Sequence, residues 1–254
     1  TAIRRQRQMC IRDRFVGGTA SGKTTSLNAC SLFLPWQHKI VSIEETRELN
    51  LPHPNWIPGC TRQGFGGESA GSGVKAAGEV DMYDLLRAAL RERPEYIIVG
   101  EIRGAEAYVL FQAMATGHTT YSTFHADSIQ SLVHRLENKP IEIPRVLIPA
   151  LDGISIQIQT RVGGKRVRRN KGIIEIIGID PHSHELLTNE AFRWDNTVDE
   201  FVFTGKSYIF EKIMMKANLN RVEIMDETKR RQLVIEWCLK TVSYTHLTLP
   251  TNSG

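Results

Sequence analysis

The sequence predicts an α/β fold with a mostly parallel sheet, followed by a small antiparallel strand and helix region. Three observations predict it. The stretch Gly17-Gly18-Thr19-Ala20-Ser21-Gly22-Lys23-Thr24-Thr25 fits the phosphate-loop spacing of Gly, four residues, Gly-Lys-Ser/Thr. After it, short β-branched runs alternate with amphipathic stretches of helical length, the pattern of a parallel sheet with helices on both faces. Three of the strands end in polar residues, which places those residues on one sheet edge. In parallel α/β sheets that edge is where ligands bind.

The phosphate-loop residues have separable roles. Gly17 and Gly22 allow backbone angles that a Cβ would obstruct, so the loop can curl with its N–H groups inward. Those groups and the N-terminus of the following helix form an anion cradle. Lys23 brings a compact positive charge to the β- and γ-phosphates, and the Thr24 hydroxyl is a ligand for Mg²⁺. The competing reading is a Gly-rich turn that matches the pattern by chance.

Taken in order, residues 24–33 read as a helix with Leu27, Ala29 and Leu32 available to the core, and Pro35 follows its end. Residues 39–43 form a strand that delivers Glu44-Glu45-Thr46-Arg47-Glu48. Three prolines in residues 51–58 make that stretch irregular. Six glycines between 64 and 78 predict a flexible surface loop. Residues 81–91 are helical, with Asp81 as cap and Met82, Leu85, Leu86, Ala89 and Leu90 on one face. Residues 96–100 form a wholly apolar strand ending in Glu101-Ile102-Arg103. A helix over 105–117 turns Leu110, Phe111 and Met114 inward. Residues 119–124 are a strand ending in His125-Ala126-Asp127-Ser128, and Ser128 begins a helix to 137.

Beyond Pro149 the pattern changes. Residues 154–159 alternate strictly, as a strand with one wet face, and 172–179 is its partner. Gly163-Gly164 with Lys165, Arg166, Arg168 and Arg169 occupies the hairpin between them. That basic tip is either simply solvated or meets an acidic partner or membrane surface. Small antiparallel strands over 185–203 and helices over 208–217 and 226–239 complete the chain.

Composition excludes several classes. The 254 residues are 41% apolar and 24% charged with a net charge of +4, as in an ordinary globule, and the mild charge does not argue for nucleic acid. No run approaches the ~18 apolar residues of a membrane span, and no apolar stretch follows the Arg-rich start as in a signal peptide. The four cysteines, Cys10, Cys30, Cys60 and Cys238, lie far apart, as suits reduced thiols, and lack zinc-site spacing.

The two ends are related through the genetic code. Met9-Cys10-Ile11-Arg12-Asp13 is encoded by ATG-TGT-ATA-AGA-GAC, and the reverse complement, GTC-TCT-TAT-ACA-CAT, encodes Val242-Ser243-Tyr244-Thr245-His246. That DNA resembles the transposon end used to prepare sequencing libraries. Residues 1–14 and 242–254 are therefore expected to be non-native, adapter-derived tails, loosely packed and excluded from fold reasoning. The stretch from Met9 to Arg14 is not expected in a core. The phosphate-loop core spans 15–150, and 151–241 is the C-terminal part of the same domain.

The polar strand ends supply what phosphoryl transfer needs beyond a cradle and a metal. Glu44, Glu45 and Glu101 are candidates to orient water, Arg103 and Arg47 to neutralise charge, and His125 to contact the γ-phosphate. His118 is a weaker candidate, since a lone His is more often structural.

These segments together resemble the secretion ATPase superfamily that drives type II and type IV secretion, type IV pili and the archaeal flagellum. Its acidic box is similar to Ile43-Glu44-Glu45-Thr46-Arg47-Glu48-Leu49. Its atypical Walker B resembles Ile97-Ile98-Val99-Gly100-Glu101-Ile102-Arg103-Gly104, and its histidine box resembles Ala115-Thr116-Gly117-His118-Thr119 through His125-Ala126-Asp127-Ser128. Asn50-Leu51-Pro52-His53-Pro54-Asn55-Trp56 is most similar to the archaeal branch, the archaellum and archaeal pilus motors. The resemblance implies a RecA-like, Mg²⁺-dependent ATPase, a homo-hexamer at the cytoplasmic face of the membrane beneath a polytopic platform protein. It implies that Glu44 activates water and Glu101 completes the site. It also implies an N-terminal domain that closes over ATP and contributes arginines; this sequence does not contain it, and the strand before the phosphate loop is clipped. Two other readings stay open: a RecA-like nucleic-acid motor, against which stands Glu101 following Gly100 where such motors have Asp-Glu, and an assembly scaffold that binds ATP without turnover.

Overall fold

The computed structural model describes residues 12–64 and 77–245. The chain forms two units, Cys10–Tyr208 and a smaller one whose described residues begin at Ile209. In the larger unit, strands β1 (Asp13–Gly17), β2 (Ile40–Glu44), β3 (Trp56–Cys60), β4 (Tyr96–Val99), β5 (Thr119–Phe124), β6 (Gly153–Val162), β7 (Lys165–Ile179), β8 (Leu186–Asp195) and β9 (Glu200–Phe203) form one sheet in the order β3-β2-β4-β5-β1-β6-β7-β8-β9. The pairings from β3 through β6 are parallel, and those from β6 to β9 are antiparallel. The expected fold class is the observed one, and the antiparallel strands extend the parallel sheet.

The period-2 alternation of the central strands sorts side chains between two layers. Val41, Ile43, Ile97 and Val99 pack in one cluster with residues of helices α2 (Met82–Arg91), α3 (Glu106–Ala115) and α4 (Ile129–Glu137). Ile40, Tyr96, Ile98 and Phe15 pack in another with Leu27 of helix α1 (Lys23–Ser31). Leu110, Phe111 and Met114 are fully buried, as their spacing predicts. The Asp81 side chain accepts from Asp84 N at 2.8 Å, so the expected cap forms, and the Ser128 hydroxyl accepts from Ser131 N at 3.2 Å at the start of α4.

Four details differ from the sequence expectation. Pro58 lies within β3, because β3 is an edge strand and a missing N–H there breaks no ladder. β6 does not have one wet face along its length: Ser155 and Gln157 are buried, since β1 and β7 flank the strand. The basic residues do not form the hairpin tip. Gly163 and Gly164, both at positive φ (55° and 78°), make the two-residue turn, and Lys165 to Arg169 lie in β7. Most of the glycine-rich 64–78 segment lies outside the described residues.

The fourth difference is at the start of the sheet. Asp13 and Arg14, expected outside the core, begin β1: Asp13 pairs with Tyr121 and Gly153, and Arg14 with Ser122 and Ile154. Strand pairing uses backbone groups and accepts any side chain. The Arg14 side chain is fully buried, with its guanidinium carbon 4.5 Å from the Phe111 ring centre. None of its three nitrogens has a hydrogen-bond partner among the described residues. Burial pushes Arg14 down to about 9, so at neutral pH it is an unpaired cation in an apolar slot. Burial, with Asp152 and Glu175 adding repulsion, raises Asp13 to about 7.

The smaller unit contains α5 (Tyr208–Ala217), which starts at the unit boundary, and α6 (Arg221–Thr245). Asn220 and Glu223 form a reciprocal cap at the start of α6, with bonds of 3.0 and 2.8 Å. The helix therefore begins earlier than the expected 226 and continues past 241. Its apolar side chains Leu233, Val234, Trp237 and Leu239 are exposed. Among the described residues, no helix is long and apolar enough to cross a membrane.

Arg14→Leu should stabilise the fold. It removes an uncompensated buried charge, worth several kcal/mol, and should raise Tm by about 5 °C or more in thermal unfolding. An unchanged or lower Tm would contradict the burial argument. Asp13 gives a pH signature. Its folded pKa lies above the unfolded value of 3.8, so the stability it contributes at low pH is lost as pH rises to about 7. The Tm of Asp13→Asn minus that of the wild type should therefore grow across this window and level off above it.

Candidate functional site

β1 ends at Gly17, and residues 18–22 turn into α1. A Cβ on Gly17 would lie 2.4 Å from the Gln157 carbonyl oxygen, so only glycine lets the loop pass β6 this closely. Gly22 caps α1 in the left-handed region (φ 95°), and Ala20 is also left-handed (φ 58°). A non-glycine residue there stores about 1–3 kcal/mol of strain. Ser21 Oγ and Lys23 Nζ each donate to the Gly18 carbonyl at 2.8 Å. The N-cap residue Gly22 has no side chain to cap α1 and the first turn has no acidic residue, so nothing in the helix answers its positive end. Burial pushes the Lys23 pKa down, with Glu101 opposing the shift.

The ends of β2, β4 and β5 face this loop across a cavity of ≈ 470 Å³. Thr19, Ala20, Lys23, Thr24, Glu44, Glu45, Glu101, Arg103 and His125 line it together with Thr46, Glu48, Gly100 and Thr123. The structure thus brings the predicted strand-end residues to one place. Gly17, Gly18, Ser21, Gly22 and Thr25 form the loop and helix start behind that lining. Arg47 does not join them; its guanidinium carbon stands 4.8 Å over the Trp56 ring. His118 bonds to Thr116 and the Ala113 carbonyl at the end of α3, a structural role.

Glu44 is held more tightly than an exposed carboxylate would be. It is 2% exposed, and Oε1 accepts from the backbone N–H groups of Glu48 and Leu49, both at 3.0 Å. Its Oε2 is buried without a hydrogen-bond partner among the described residues. Gly100 makes room for it, since a Cβ there would stand 3.0 Å from Glu44 Cγ. An orphaned buried carboxylate oxygen beside a cavity is costly unless a cation or water meets it.

Arg103 bridges the two other acids, with Nη2 2.5 Å from Glu101 and Nη1 3.0 Å from Glu45. The Glu101 hydrogen bond, then its charge, raises the Arg103 pKa. His125 Nε2 lies 3.2 Å from the Thr19 hydroxyl, and Arg135 donates to the His125 carbonyl at 2.7 Å. The cavity holds the carboxylates Glu44, Glu45, Glu48 and Glu101 against the cations Lys23 and Arg103. Its excess negative charge suits a polyphosphate only together with a divalent cation. Among the described residues no three His, Cys, Asp or Glu side chains converge on a metal site. Mg²⁺ fits such a setting, because it keeps several waters and takes few protein ligands beside phosphate oxygens.

Sequence reasoning missed two residues. Thr123 donates from Oγ1 to the Gly100 carbonyl, tying the ends of β4 and β5. Arg168 of β7 donates from Nε to the Ala20 carbonyl at 2.9 Å. Period-2 alternation could have separated Arg168 from Arg169, but it gives no hint of a contact so distant in sequence.

The chain is similar to several known proteins. An uncharacterized protein of Methanocaldococcus jannaschii is 45% identical over 225 residues, 89% of this chain and 80% of that protein. The type IV secretion system protein PtlH of Bordetella pertussis is 34% identical over 168 residues, 60% of this chain and 46% of that protein. The crystal structure of the VirB11 ATPase from the Brucella suis type IV secretion system, in complex with sulphate, superposes with a TM-score of 0.52 at 27% identity, covering 67% of this chain and 51% of that one. The chain thus spans most of one relative and about half of the other two. The profile described as "Type II/IV secretion system protein" matches residues 2–239, and the chain belongs to that family.

Proposed function

We propose that this chain is the ATP-hydrolysing part of a motor. It would couple hydrolysis in a ring to assembly, rotation or secretion by a type IV pilus, archaellum or type II secretion-like machine. The observation that carries the reading is the cavity in which Lys23 and Thr24 of the loop meet the strand-end residues Glu44, Glu101, Arg103 and His125.

In this reading the loop 17–25 cradles the β- and γ-phosphates, and Lys23 leaves the Gly18 carbonyl to meet them. The Thr24 hydroxyl holds Mg²⁺, which when bound neutralises phosphate charge. Glu44, fixed by two backbone donors, accepts a proton from the attacking water or orders it. Glu101 completes the carboxylate pair, and Arg103 holds Glu101 and Glu45 in place. His125, set by Thr19, donates to the γ-phosphate. Arg103 is engaged by carboxylates, and Lys23 is the other cation lining the cavity among the described residues. Further charge for the transition state then comes from a neighbouring subunit, with Arg87, Arg91 and Arg93 as candidates. The family likeness supports a homo-hexamer at the cytoplasmic face of the membrane, acting on a polytopic platform protein.

Lys23→Ala should abolish binding of a fluorescent ATP analogue; unchanged affinity would remove the loop from its role. Glu44→Gln and Glu101→Gln should each retain ATP binding. In protein extended by the N-terminal domain that the resemblance implies, each should lower kcat by about 10²-fold or more. Turnover near the wild-type rate in either would take that residue out of the hydrolytic machinery. In a ring, Glu101→Gln subunits mixed with active ones should depress activity more than dilution explains. A strictly linear response would rule the shared site out.

A further inference from the structure

Arg168 has no part in the chemistry proposed above, yet it touches the phosphate loop. Its Nε donates to the Ala20 carbonyl at 2.9 Å, and its Cδ passes 3.4 Å from where a Cβ on Gly22 would stand. These contacts fall on the two left-handed residues of the loop. Its own anchorage is rigid. Arg169 Nη1 donates to the Arg168 carbonyl at 2.9 Å, and Arg169 grips Asp199 with two bonds of 2.7 Å. Trp194 Nε1 adds a third bond to Asp199 at 2.8 Å. A chain of hydrogen bonds thus runs from the β8–β9 turn to the loop.

We propose that Arg168 is a positioning residue that sets the polyphosphate affinity of the loop through the Ala20–Ser21 peptide. In a trans peptide the carbonyl and the following N–H point in opposite directions. Holding the Ala20 carbonyl toward β7 aims the Ser21 N–H away from β7, into the loop. A loop that relies on a left-handed alanine has to be held in that shape from outside. The strap also ties nucleotide binding to the hairpin of β6 and β7. The inference rests on reading residues 17–25 as a polyphosphate cradle.

Calorimetric titration of the full chain with inorganic tripolyphosphate and with ADP tests it. Arg168 is exposed, so Arg168→Ala leaves the core intact. This variant should weaken both ligands by the same factor, about tenfold for one lost bond to a charged donor. Its Ser21 amide should also exchange hydrogen faster in the free protein. Arg168→Lys keeps the charge without the guanidinium geometry and should stay close to the Ala variant. Asp199→Asn, which loosens the anchorage, should shift both affinities the same way by less. Four results would overturn the proposal: unchanged affinity in Arg168→Ala, unaltered Ser21 exchange in that variant, a loss confined to ADP, or full recovery in Arg168→Lys. Wild-type protein that binds neither ligand would overturn the cradle reading itself, and this inference with it.

Discussion

The site depends on how β1 is held. Its backbone pairs in parallel with β5 on one side and β6 on the other, and that double ladder fixes where the phosphate loop leaves the sheet. Gly17 is the point of closest approach, with the Gln157 carbonyl where a side chain would start. From that exit the loop can only rise over the sheet edge on which Glu44, Glu101 and His125 stand. The loop, the acidic strand ends and the histidine are therefore one construction, set by strand order before any side chain contributes.

Electrostatics gives this edge its character. Carboxylates outnumber cations in the cavity, and the most buried of them, Glu44, is immobilised by backbone donors on one oxygen and left without a partner among the described residues on the other. A fold selected for stability alone would remove such a group or pair it. Arg103 answers two of the other carboxylates and is itself consumed in doing so. What remains is a cavity poised for cationic charge, brought by a metal with its phosphates and, in the proposed ring, by a neighbour.

β2, β4 and β5 were readable because each is a short run rich in β-branched or apolar residues with a polar end, and because Asp81, the cap of α2, follows simple chemistry. The cavity residues were readable for the same reason: position at a strand's C-terminal end determines which cavity they meet. Arg14 and Pro58 were misread because residue type outweighed context. A backbone ladder tolerates a buried arginine, and an edge strand tolerates a proline. The engagement of Arg168 with the loop was not legible at all, since nothing local to β7 records a partner so far away in the chain. Arg103 was visible as a candidate, but only the fold shows that two carboxylates occupy it.

The measurement that tests this account most directly is ATP affinity with and without Mg²⁺, by calorimetry on the wild-type chain. Surplus carboxylates around the cradle predict that Mg·ATP binds at least tenfold more tightly than metal-free ATP. They also predict that Glu44→Gln, which removes one of the repelling charges, narrows the difference by strengthening metal-free binding. Equal affinity for the two forms, or a gap that Glu44→Gln leaves untouched, would contradict the claim that this cavity is a metal-assisted triphosphate site.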